Sequence, residues 1–357
     1  SLSRSLREGF KTLQALAALK ANVVGAQRIS KKVKVDGRYY WDLYTPGWPG
    51  KVFNQYLKGE MNRITPLPGK SNRFTNVFIA ITKKCPLQCE HCFEWDALNQ
   101  KDTLTLEQLK QTVQRLYDAG TSQIQLTGGE PMLRAHDMVE LISTSPKDID
   151  FWVLTSGIKF TAENARRLKE AGLTGVVVSL DHFDPMAHNL FRGNTNSYSL
   201  ALRAVKNAIE ANLVTALSLC VTRDFMTPDN LMAYAALAKK MGVAFVQVLE
   251  PKAAGHYSGM DVLLHEEHIH ILEEFYFKMN FDTVFADYPL IIYHGYYQRK
   301  IGCFGSGSRS VYIDTDGDVM PCPFCRRKVG HSLAPEMNTL VDQLSREGCS
   351  MFRQSPF

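Results

Sequence analysis

The fold of this chain is decided by one short loop, Cys85-Pro86-Leu87-Gln88-Cys89-Glu90-His91-Cys92. The loop directly follows the apolar run 76–82, which predicts a buried parallel strand. The three cysteines therefore lie where a strand ends, and α/β folds carry their chemistry at that edge. Thiolates are soft ligands, and three in one loop favour a 4Fe–4S cluster with one open iron over a zinc site, which wants a fourth ligand. A zinc knuckle and a chance group of buried cysteines are the alternatives.

Regular alternation of apolar and amphipathic stretches follows this loop. Strands are predicted at 76–82, 123–126, 150–155, 174–180, 214–221 and 244–249. Helices are predicted near 105–118, 136–144, 161–171, 197–211 and 228–240. This alternation predicts an α/β fold in which crossover helices join the strands of a parallel sheet or barrel.

The composition is that of a globular protein with metal-binding capacity. The chain has 357 residues, 45% hydrophobic and 22% charged, with a formal net charge of +5. That charge is too diffuse to indicate nucleic-acid binding, and no apolar run approaches the roughly 20 residues of a membrane span. The chain has eight cysteines. In a reducing cytoplasm, which is the expected location, they predict metal ligands or catalytic groups, not disulfides.

The cysteine loop resembles that of the radical S-adenosylmethionine (SAM) superfamily. The hallmark of that family is CxxxCxxC after the first strand of a partial (β/α)6 barrel, usually with an aromatic residue before the last cysteine. His91 occupies that position here. The resemblance implies a partial (β/α)6 barrel in which Cys85, Cys89 and Cys92 hold a SAM-binding 4Fe–4S cluster, with His91 beside the cofactor.

Two further strand ends carry motifs similar to those of the family. Gly128-Gly129-Glu130-Pro131 after the second strand is similar to the family's GGEP motif, which implies that Glu130 binds the amino group of SAM. The two glycines would let the backbone approach a ligand closely. Thr155-Ser156-Gly157 resembles the family's Thr-Asn-Gly and implies hydroxyl contacts to the carboxylate or ribose of SAM. A plain turn with a helix N-cap is the alternative for this second motif.

The fourth strand ends in Ser179-Leu180-Asp181, and Arg192-Gly193 follows. The resemblance implies that Ser179 and Asp181 bind the ribose and that Arg192 holds the methionine carboxylate in a guanidinium fork. The ends of strands five and six would flank the adenine. Cys220 lies within strand five and is interpreted as a small buried hydrophobe. The implied chemistry is reductive cleavage of SAM to a 5′-deoxyadenosyl radical, which abstracts hydrogen from a substrate C–H bond.

A second cysteine group, Cys303, Cys322, Cys325 and Cys349, lies near the C-terminus. A hairpin with an Asp316-Gly317 turn is predicted between its first two members. This arrangement resembles the SPASM and twitch extensions of radical SAM maturases, although the seven cysteines of a full SPASM domain are not present. It implies one auxiliary 4Fe–4S cluster, with a zinc ribbon as the alternative. Cys349 is predicted as the fourth ligand of a closed cluster; the competing interpretation is an open iron with Cys349 as a free thiol.

The predicted domains are an N-terminal extension at 1–75, the partial barrel at 76–255, a linker helix and aromatic segment at 256–302, and a small cysteine-rich domain at 303–357. The extension combines an amphipathic helix with a hairpin at 33–41, both expected to cover the open side of the barrel. Peripheral membrane contact by the helix, or substrate contact by the aromatics, is the alternative. His265 and His268 are interpreted as part of a solvated helix face, not a metal site.

The sequence therefore predicts a radical SAM enzyme. Maturation of a peptide is the leading interpretation of its substrate, because SPASM-like extensions are typical of that class. A small molecule, sugar or lipid precursor is the first alternative, and a non-catalytic cysteine-rich metal-binding protein is the second. The expected cofactors are two 4Fe–4S clusters and SAM. The expected partners are the substrate and an electron donor such as flavodoxin or ferredoxin.

Overall fold

A computed structural model describes residues 31–64, 74–303 and 309–335, together with the isolated positions 14, 17, 305, 307, 340, 343, 344, 349 and 352. The predicted N-terminal amphipathic helix therefore lies almost wholly outside the described residues.

The described part of the chain is built on one large sheet. Its strand order is β12-β11-β10-β3-β4-β5-β6-β7-β8-β9, and the eight strands from β10 to β9 in that order are mutually parallel. The strands are β3 (Asn76–Ala80), β4 (Gln123–Thr127), β5 (Asp150–Thr155), β6 (Leu173–Ser179), β7 (Val214–Cys220), β8 (Phe245–Leu249), β9 (Leu290–Tyr293), β10 (Ser310–Ile313), β11 (Asp318–Met320) and β12 (Gly330–His331). A separate hairpin consists of β1 (Val33–Val35) and β2 (Arg38–Tyr40).

Helices connect the parallel strands and cover the outer face of the sheet. They are α1 (Lys51–Ile64), α2 (Leu106–Asp118), α3 (Ala135–Thr144), α4 (Ala162–Ala171), α5 (Pro185–Arg192), α6 (Ser197–Glu210), α7 (Pro228–Met241), α8 (Glu266–Phe281) and α9 (His294–Ile301). Threonine side chains cap the N-termini of α2, α4 and α7, which explains where these helices begin. The predicted fold class is confirmed, and the six predicted strands agree with the structure to within two residues.

The two faces of the sheet are buried in different ways. Outward-facing residues such as Val153, Val178 and Leu219 join the helices in the main hydrophobic core. Inward-facing residues alternate with them, as the pleat of a strand requires. Near the amino ends of the strands, Trp152 and Phe245 pack against residues of the N-terminal extension. The extension therefore closes the amino end of the lumen, the space that the inner face of the sheet encloses.

This closure has both apolar and polar components. Tyr40 and Leu43 of the extension are buried in the inner cluster. Arg38 forms an ion pair with Asp150 at 3.5 Å, and Gln123 donates a hydrogen bond to the Leu43 carbonyl at 3.2 Å. The extension covers the sheet as the sequence predicted, but at the amino end of the strands.

Two strands extend the sheet beyond the six that the sequence predicted. β9 adds to β8 from a segment that the sequence placed in an aromatic linker. β10 adds to β3 on the other side and carries the C-terminal hairpin with it. Both strands are four residues long, too short for a clear alternation pattern, and no local signal shows which distant strand they pair with. Among the described residues the two ends of the sheet do not pair, so the barrel is open.

We expect Leu43→Ala to lower the free energy of unfolding by about 2–5 kcal/mol, because it leaves a cavity where the extension meets the sheet. Leu43 is 0% exposed. Leu57→Ala is the matched control, since Leu57 lies on α1 and is 38% exposed. Urea denaturation measures both. Equal losses in the two variants would mean that the extension is not part of the core.

Candidate functional site

The carboxyl ends of the parallel strands bring most of the predicted site residues to one edge of the sheet. The cysteine loop, residues 81–94, follows β3, and the glycine turn, residues 127–131, follows β4. At this edge five inward-facing residues keep part of their surface accessible. They are Phe78, Leu154, Ser179, Ser218 and Leu249. The lumen is therefore closed at its amino end and accessible at the edge that carries the cysteines.

The cysteine loop is held in place by hydrogen bonds at both of its ends. The Asp102 carboxylate accepts from the Lys83 backbone N–H at 2.7 Å and from the Thr82 hydroxyl at 2.8 Å. Further along, Gln88 and Glu90 donate backbone N–H groups to carbonyls of the last turn of α5, at 3.2 and 3.0 Å. The loop conformation is thus fixed by the protein itself.

The three thiols of the loop suit a soft metal centre. Burial raises the pKa of Cys85 and of Cys92 to about 12, so both keep their protons at neutral pH. Binding to a soft cation would deprotonate them and offset that penalty. Cys85 and Cys92 are partly accessible, and Cys89 is buried with its sulfur accepting from Arg192 Nη1 at 3.6 Å. This donor set fits an iron–sulfur cluster.

The two glycines of the glycine turn are required by the cysteine loop. A Cβ atom on Gly129 would lie 2.3 Å from the Lys84 carbonyl oxygen, and one on Gly128 would lie 2.5 Å from the Thr82 carbonyl oxygen. The close approach lets the Gly129 and Glu130 N–H groups donate to those same two carbonyls, each at 2.7 Å. The sequence predicted that these glycines let the backbone approach a ligand closely. The structure shows that they let the glycine turn pack directly against the cysteine loop.

Glu130 joins the ends of β4 and β5. Its buried carboxylate accepts hydrogen bonds from the Thr155 hydroxyl at 2.7 Å, the Ser156 N–H at 2.8 Å and the Ser156 hydroxyl at 2.5 Å. It also accepts from the Met132 N–H at 3.0 Å. Burial raises the pKa of Glu130, while these hydrogen bonds favour the ionised form. The structure therefore brings two predicted motifs together through the protein's own groups, and their contacts to SAM stay predictions.

Arg192 and Asp181 form a buried ion pair. Arg192 Nε donates to Asp181 Oδ2 at 2.5 Å, and a second guanidinium nitrogen contacts the same oxygen. Asp181 Oδ1 accepts from the Cys220 N–H at 3.0 Å. Burial opposes ionisation of Asp181, but the Arg192 guanidinium and neighbouring groups outweigh it and lower the pKa of Asp181. The predicted roles of this pair toward ribose and carboxylate stay predictions, because in this structure the two side chains bind each other.

Two predicted residues offer unused polar groups to a ligand. His91 stacks on Phe191, with ring centroids 4.8 Å apart and planes 17° apart. Burial lowers the pKa of His91 to about 4, so the ring is neutral, and Nδ1 has no hydrogen-bond partner in the described part of the chain. The Ser179 hydroxyl is partly accessible, and the described residues give it no hydrogen bond. A buried neutral nitrogen in the cysteine loop and a hydroxyl at the same edge of the sheet fit a polar cofactor such as SAM.

The structure also brings the second cysteine group together. The Cys349 side chain lies in hydrogen-bonding contact with the Cys303 thiol, and Cys322 is adjacent to both. Cys322 and Cys325 are joined by an isolated bridge of antiparallel type. Burial raises the pKa of Cys303 to about 12, which again favours a metal-bound thiolate over a free one. Four sulfurs therefore converge here, and their assignment as ligands of one cluster stays a prediction.

Several residues of the lumen were not predicted. Gln247 donates to the Tyr44 hydroxyl at 2.5 Å, and the Tyr44 and His294 rings are 4.7 Å apart. His294 Nε2 is buried without a partner among the described residues. Ser218 lies in register between Ser179 and Gln247 on neighbouring strands. Alternation along β7 marks Ser218 as inward-facing, but no local signal connects Tyr44 with the others.

Two other features of the structure do not add to this site. His265, Glu267 and His268 come close enough to share an ion, but they lie at the start of α8, where the helix dipole disfavours a cation. None of the helices in the described ranges is both long enough and apolar enough to span a bilayer.

The family comparison agrees with this geometry. Residues 79–238, from β3 into α7, match the family model of the radical SAM superfamily. The chain contains a radical SAM domain. The match covers the cysteine loop, the glycine turn and the strand ends up to β7.

Curated relatives share this domain and differ in what their names describe. A GTP 3′,8-cyclase of Desulforamulus reducens is 29% identical over 201 residues, covering 52% of this chain and 61% of the relative. The Bacillus subtilis protein AlbA, named for biosynthesis of the antilisterial bacteriocin subtilosin, is 24% identical over 278 residues, covering 74% of this chain and 59% of AlbA. The aligned regions thus span about three-fifths of these two proteins.

Among solved structures, the fold is similar to that of SuiB from Streptococcus suis. The complex of SuiB with its precursor peptide SuiA gives a TM-score of 0.61 at 13% identity, covering 77% of this chain and 66% of that one. The complex of SuiB with S-adenosylmethionine gives 0.59 at 12% identity, covering 82% and 77%. At such identities the likeness shows the fold alone, and it confirms the predicted α/β fold with a partial barrel.

We expect Arg192→Ala to reduce the free energy of unfolding by about 3–5 kcal/mol, because it leaves the Asp181 charge buried and unpaired. The Asp181 pKa is lowered in the folded chain. Its stabilising contribution is therefore present above the unfolded value of about 3.9 and is lost as the pH falls through the lower folded value. The difference between wild type and variant should shrink below about pH 4. Chemical denaturation at several pH values measures it.

Arg166→Ala is the control for that measurement. Arg166 pairs with Glu170 at 2.6 Å on the exposed surface of α4, where a salt bridge contributes about 0–1 kcal/mol. If Arg192→Ala lowers the free energy of unfolding no more than Arg166→Ala does, the Asp181 charge is not confined to the buried site.

We expect Cys349→Ala to lower the iron content of the reconstituted protein from about eight to about four, as one of two four-iron clusters is lost. Cys220→Ala should leave the iron content unchanged, because Cys220 is buried against Asp181 and lies apart from the second group in sequence and fold. Iron analysis and the visible spectrum after anaerobic reconstitution measure both. Full iron with an unchanged spectrum in Cys349→Ala would remove its assignment as a ligand and favour a free thiol.

Proposed function

We propose that this chain is an enzyme that cleaves SAM reductively at a 4Fe–4S cluster held by Cys85, Cys89 and Cys92. The cluster, when bound, supplies the electron that converts SAM to methionine and a 5′-deoxyadenosyl radical. The chain's own part is to hold the three thiolates in a fixed loop and to present unused polar groups beside them. His91 Nδ1 and the Ser179 hydroxyl are those groups.

The substrate proposed is a peptide, and the lining of the lumen is the observation that carries this proposal. The inward-facing residues of the eight described parallel strands include no lysine or arginine. The accessible ones are apolar (Phe78, Leu154, Leu249) or carry neutral hydroxyl groups (Ser179, Ser218, Ser310). Such a surface suits apolar side chains and neutral amides, which are the groups that a peptide offers.

A nucleoside triphosphate is the second candidate, because the D. reducens relative is named a GTP 3′,8-cyclase. A triphosphate carries several negative charges, and proteins hold such groups with arginine, lysine, magnesium or helix N-termini. The inward-facing strand residues supply no such cation, which favours the peptide. The names of AlbA and of the SuiB–SuiA complex also support a peptide, since both concern peptide products or precursors.

The remaining parts of the proposal are an auxiliary 4Fe–4S cluster at the second cysteine group and a one-electron donor such as flavodoxin or ferredoxin. A reducing cytoplasm is the proposed location, because both clusters need protection from oxygen. The contact between Cys303 and Cys349, with Cys322 adjacent to both, supports the auxiliary site.

We expect the anaerobically reconstituted chain to form 5′-deoxyadenosine from SAM and dithionite, and we expect Cys85→Ala, Cys89→Ala and Cys92→Ala each to abolish it. Each substitution removes one of three thiolates, the fewest that hold a four-iron cluster with one open iron. Liquid chromatography with mass spectrometry measures the product. Cys220→Ala is the control for removal of a cysteine outside the loop, and normal turnover by any of the three loop variants would refute the proposal.

The substrate class is tested in the same assay. Peptides encoded by reading frames adjacent to that of the chain should stimulate 5′-deoxyadenosine formation and emerge with an altered mass. GTP should do neither. Conversion of GTP with no response to any of the peptides would replace the peptide with a nucleotide substrate.

A further inference from the structure

The cysteine loop and the hairpin that leads to Cys322 and Cys325 are joined at more than one place. The hairpin consists of β10 and β11, and β10 pairs in parallel with β3, the strand that ends in the cysteine loop. The strand that ends in the cysteine loop is therefore the neighbour of the hairpin that leads to Cys322 and Cys325. Side-chain contacts connect the hairpin to the beginning and to the end of the loop.

The first connection lies at the beginning of the loop. Lys83, whose side chain is 6% exposed, contacts both carboxylate oxygens of Asp316 in the hairpin turn, at 2.8 and 3.0 Å. Thr103 donates to the same carboxylate at 2.6 Å. This connection fixes the hairpin turn against Lys83, which precedes Cys85, and against Thr103, which follows the loop.

The second connection lies at the end of the loop, two residues after Cys92. The Glu94 carboxylate is 5% exposed and forms a two-point contact with the guanidinium of Arg326, at 3.0 and 3.1 Å. It also accepts a hydrogen bond from the hydroxyl of Tyr312, which is fully buried on β10. Arg326 directly follows Cys325. One carboxylate thus connects the loop that ends in Cys92 to the segment that carries Cys325.

Aromatic rings pack beside this ion pair. Phe93 contacts the Tyr312 ring edge-to-face, with centroids 5.8 Å apart, and contacts the Phe324 ring at the same distance. Phe324 lies between Cys322 and Cys325. Residues 93 and 94, which directly follow the last cysteine of the loop, are therefore both in contact with the segment of the second cysteine group.

We propose that Glu94 is a positioning residue that couples the two cysteine groups, so that metal bound at Cys322 and Cys325 stabilises metal bound in the cysteine loop. This inference rests on the proposed function, since it takes both groups to hold clusters. Metal at the second group holds the segment of Cys325 and Arg326 in place. Arg326 then keeps the Glu94 charge paired, and Glu94 keeps the end of the loop, with Cys92, in position.

The difference in exposure between the two partners explains how loss of metal at the second group affects the cysteine loop. Arg326 is 36% exposed and can turn toward solvent when its segment is released, but Glu94 is buried. Among the described residues, Arg326 is the only cation in contact with Glu94. An unpaired buried carboxylate is strongly unfavourable, so the end of the loop must move to expose it. That movement displaces Cys92.

Iron release into a chelator tests this coupling by a double-mutant cycle. The first arm compares wild type with Cys322→Ala/Cys325→Ala, and the second makes the same comparison in the Glu94→Gln background. The iron of the cysteine loop is identified as the part of the reduced electron paramagnetic resonance signal that changes on addition of SAM. Its rate of loss in the presence of bathophenanthroline is the quantity measured, and substrate turnover is not needed.

We expect loss of the second cysteine pair to speed iron release from the loop by about fivefold or more in the wild-type background, which is the lower end of typical coupling between sites expressed in the rate of dissociation. In the Glu94→Gln background release should already be fast, and the cysteine substitutions should add less than about twofold. Equal acceleration in both backgrounds would overturn the proposal, because Glu94 would then be an ordinary structural residue.

In case Glu94→Gln fails to fold, a second cycle uses Arg326→Gln as the background, because Arg326 is the more exposed partner of the ion pair. This substitution should abolish the coupling in the same way. Arg326→Lys should restore part of it by keeping the charge without the two-point contact. Lys328→Met is the matched control, because Lys328 follows Arg326 by two residues and pairs with Asp318 of β11 at 2.5 Å, apart from Glu94. It should leave the coupling intact.

Absence of any SAM-dependent signal in wild type would refute the proposed function and this inference together, whereas a signal with additive rates would refute the inference alone.

Discussion

The buried ion pair between Arg192 and Asp181 is the interaction on which the site depends. One guanidinium contacts the Asp181 carboxylate and the Cys89 sulfur, while the Arg192 carbonyl accepts from the Gln88 backbone. Asp181 in turn holds the Cys220 N–H at the end of β7. The end of β6, the last turn of α5, the end of β7 and the cysteine loop thus meet at two charged side chains that exclude water.

In this site, the side chains that hold the edge of the sheet together differ from those that are left for a ligand. Glu130, Asp181 and Arg192 are the charged residues that resemble cofactor ligands of the family, and in this structure their hydrogen-bonding groups are directed at the protein itself. Among the predicted cofactor-binding residues, all of which the structure describes, two neutral groups lack a partner in the described part of the chain, namely His91 Nδ1 and the Ser179 hydroxyl. The charged residues therefore build a rigid edge before any ligand arrives, and the neutral ones are left for the ligand.

The sequence predicted what local patterns encode and missed what depends on contacts between distant segments. The apolar runs fixed the six central strands, because burial on both faces gives an unbroken apolar run. The spacing of the cysteines and the glycine turn identified the site for the same local reason. β9 and β10 are only four residues long, and their partners are distant in sequence. The contacts of Glu130 with Ser156 and of Tyr44 with His294 were missed because they join segments that no spacing rule relates.

The closed amino end of the lumen has a geometric consequence for any long substrate. Tyr40, Leu43 and Trp152 are buried together at the amino end of the strands and close the lumen there. A polymer that enters at the carboxyl edge therefore cannot leave through the amino end. It can bring an atom close to Trp152 with a free end, with a bend, or by lying along the side where the two ends of the sheet do not pair in the described residues. The closed end thus restricts the paths that a long chain can take through the lumen, before any side chain is recognised.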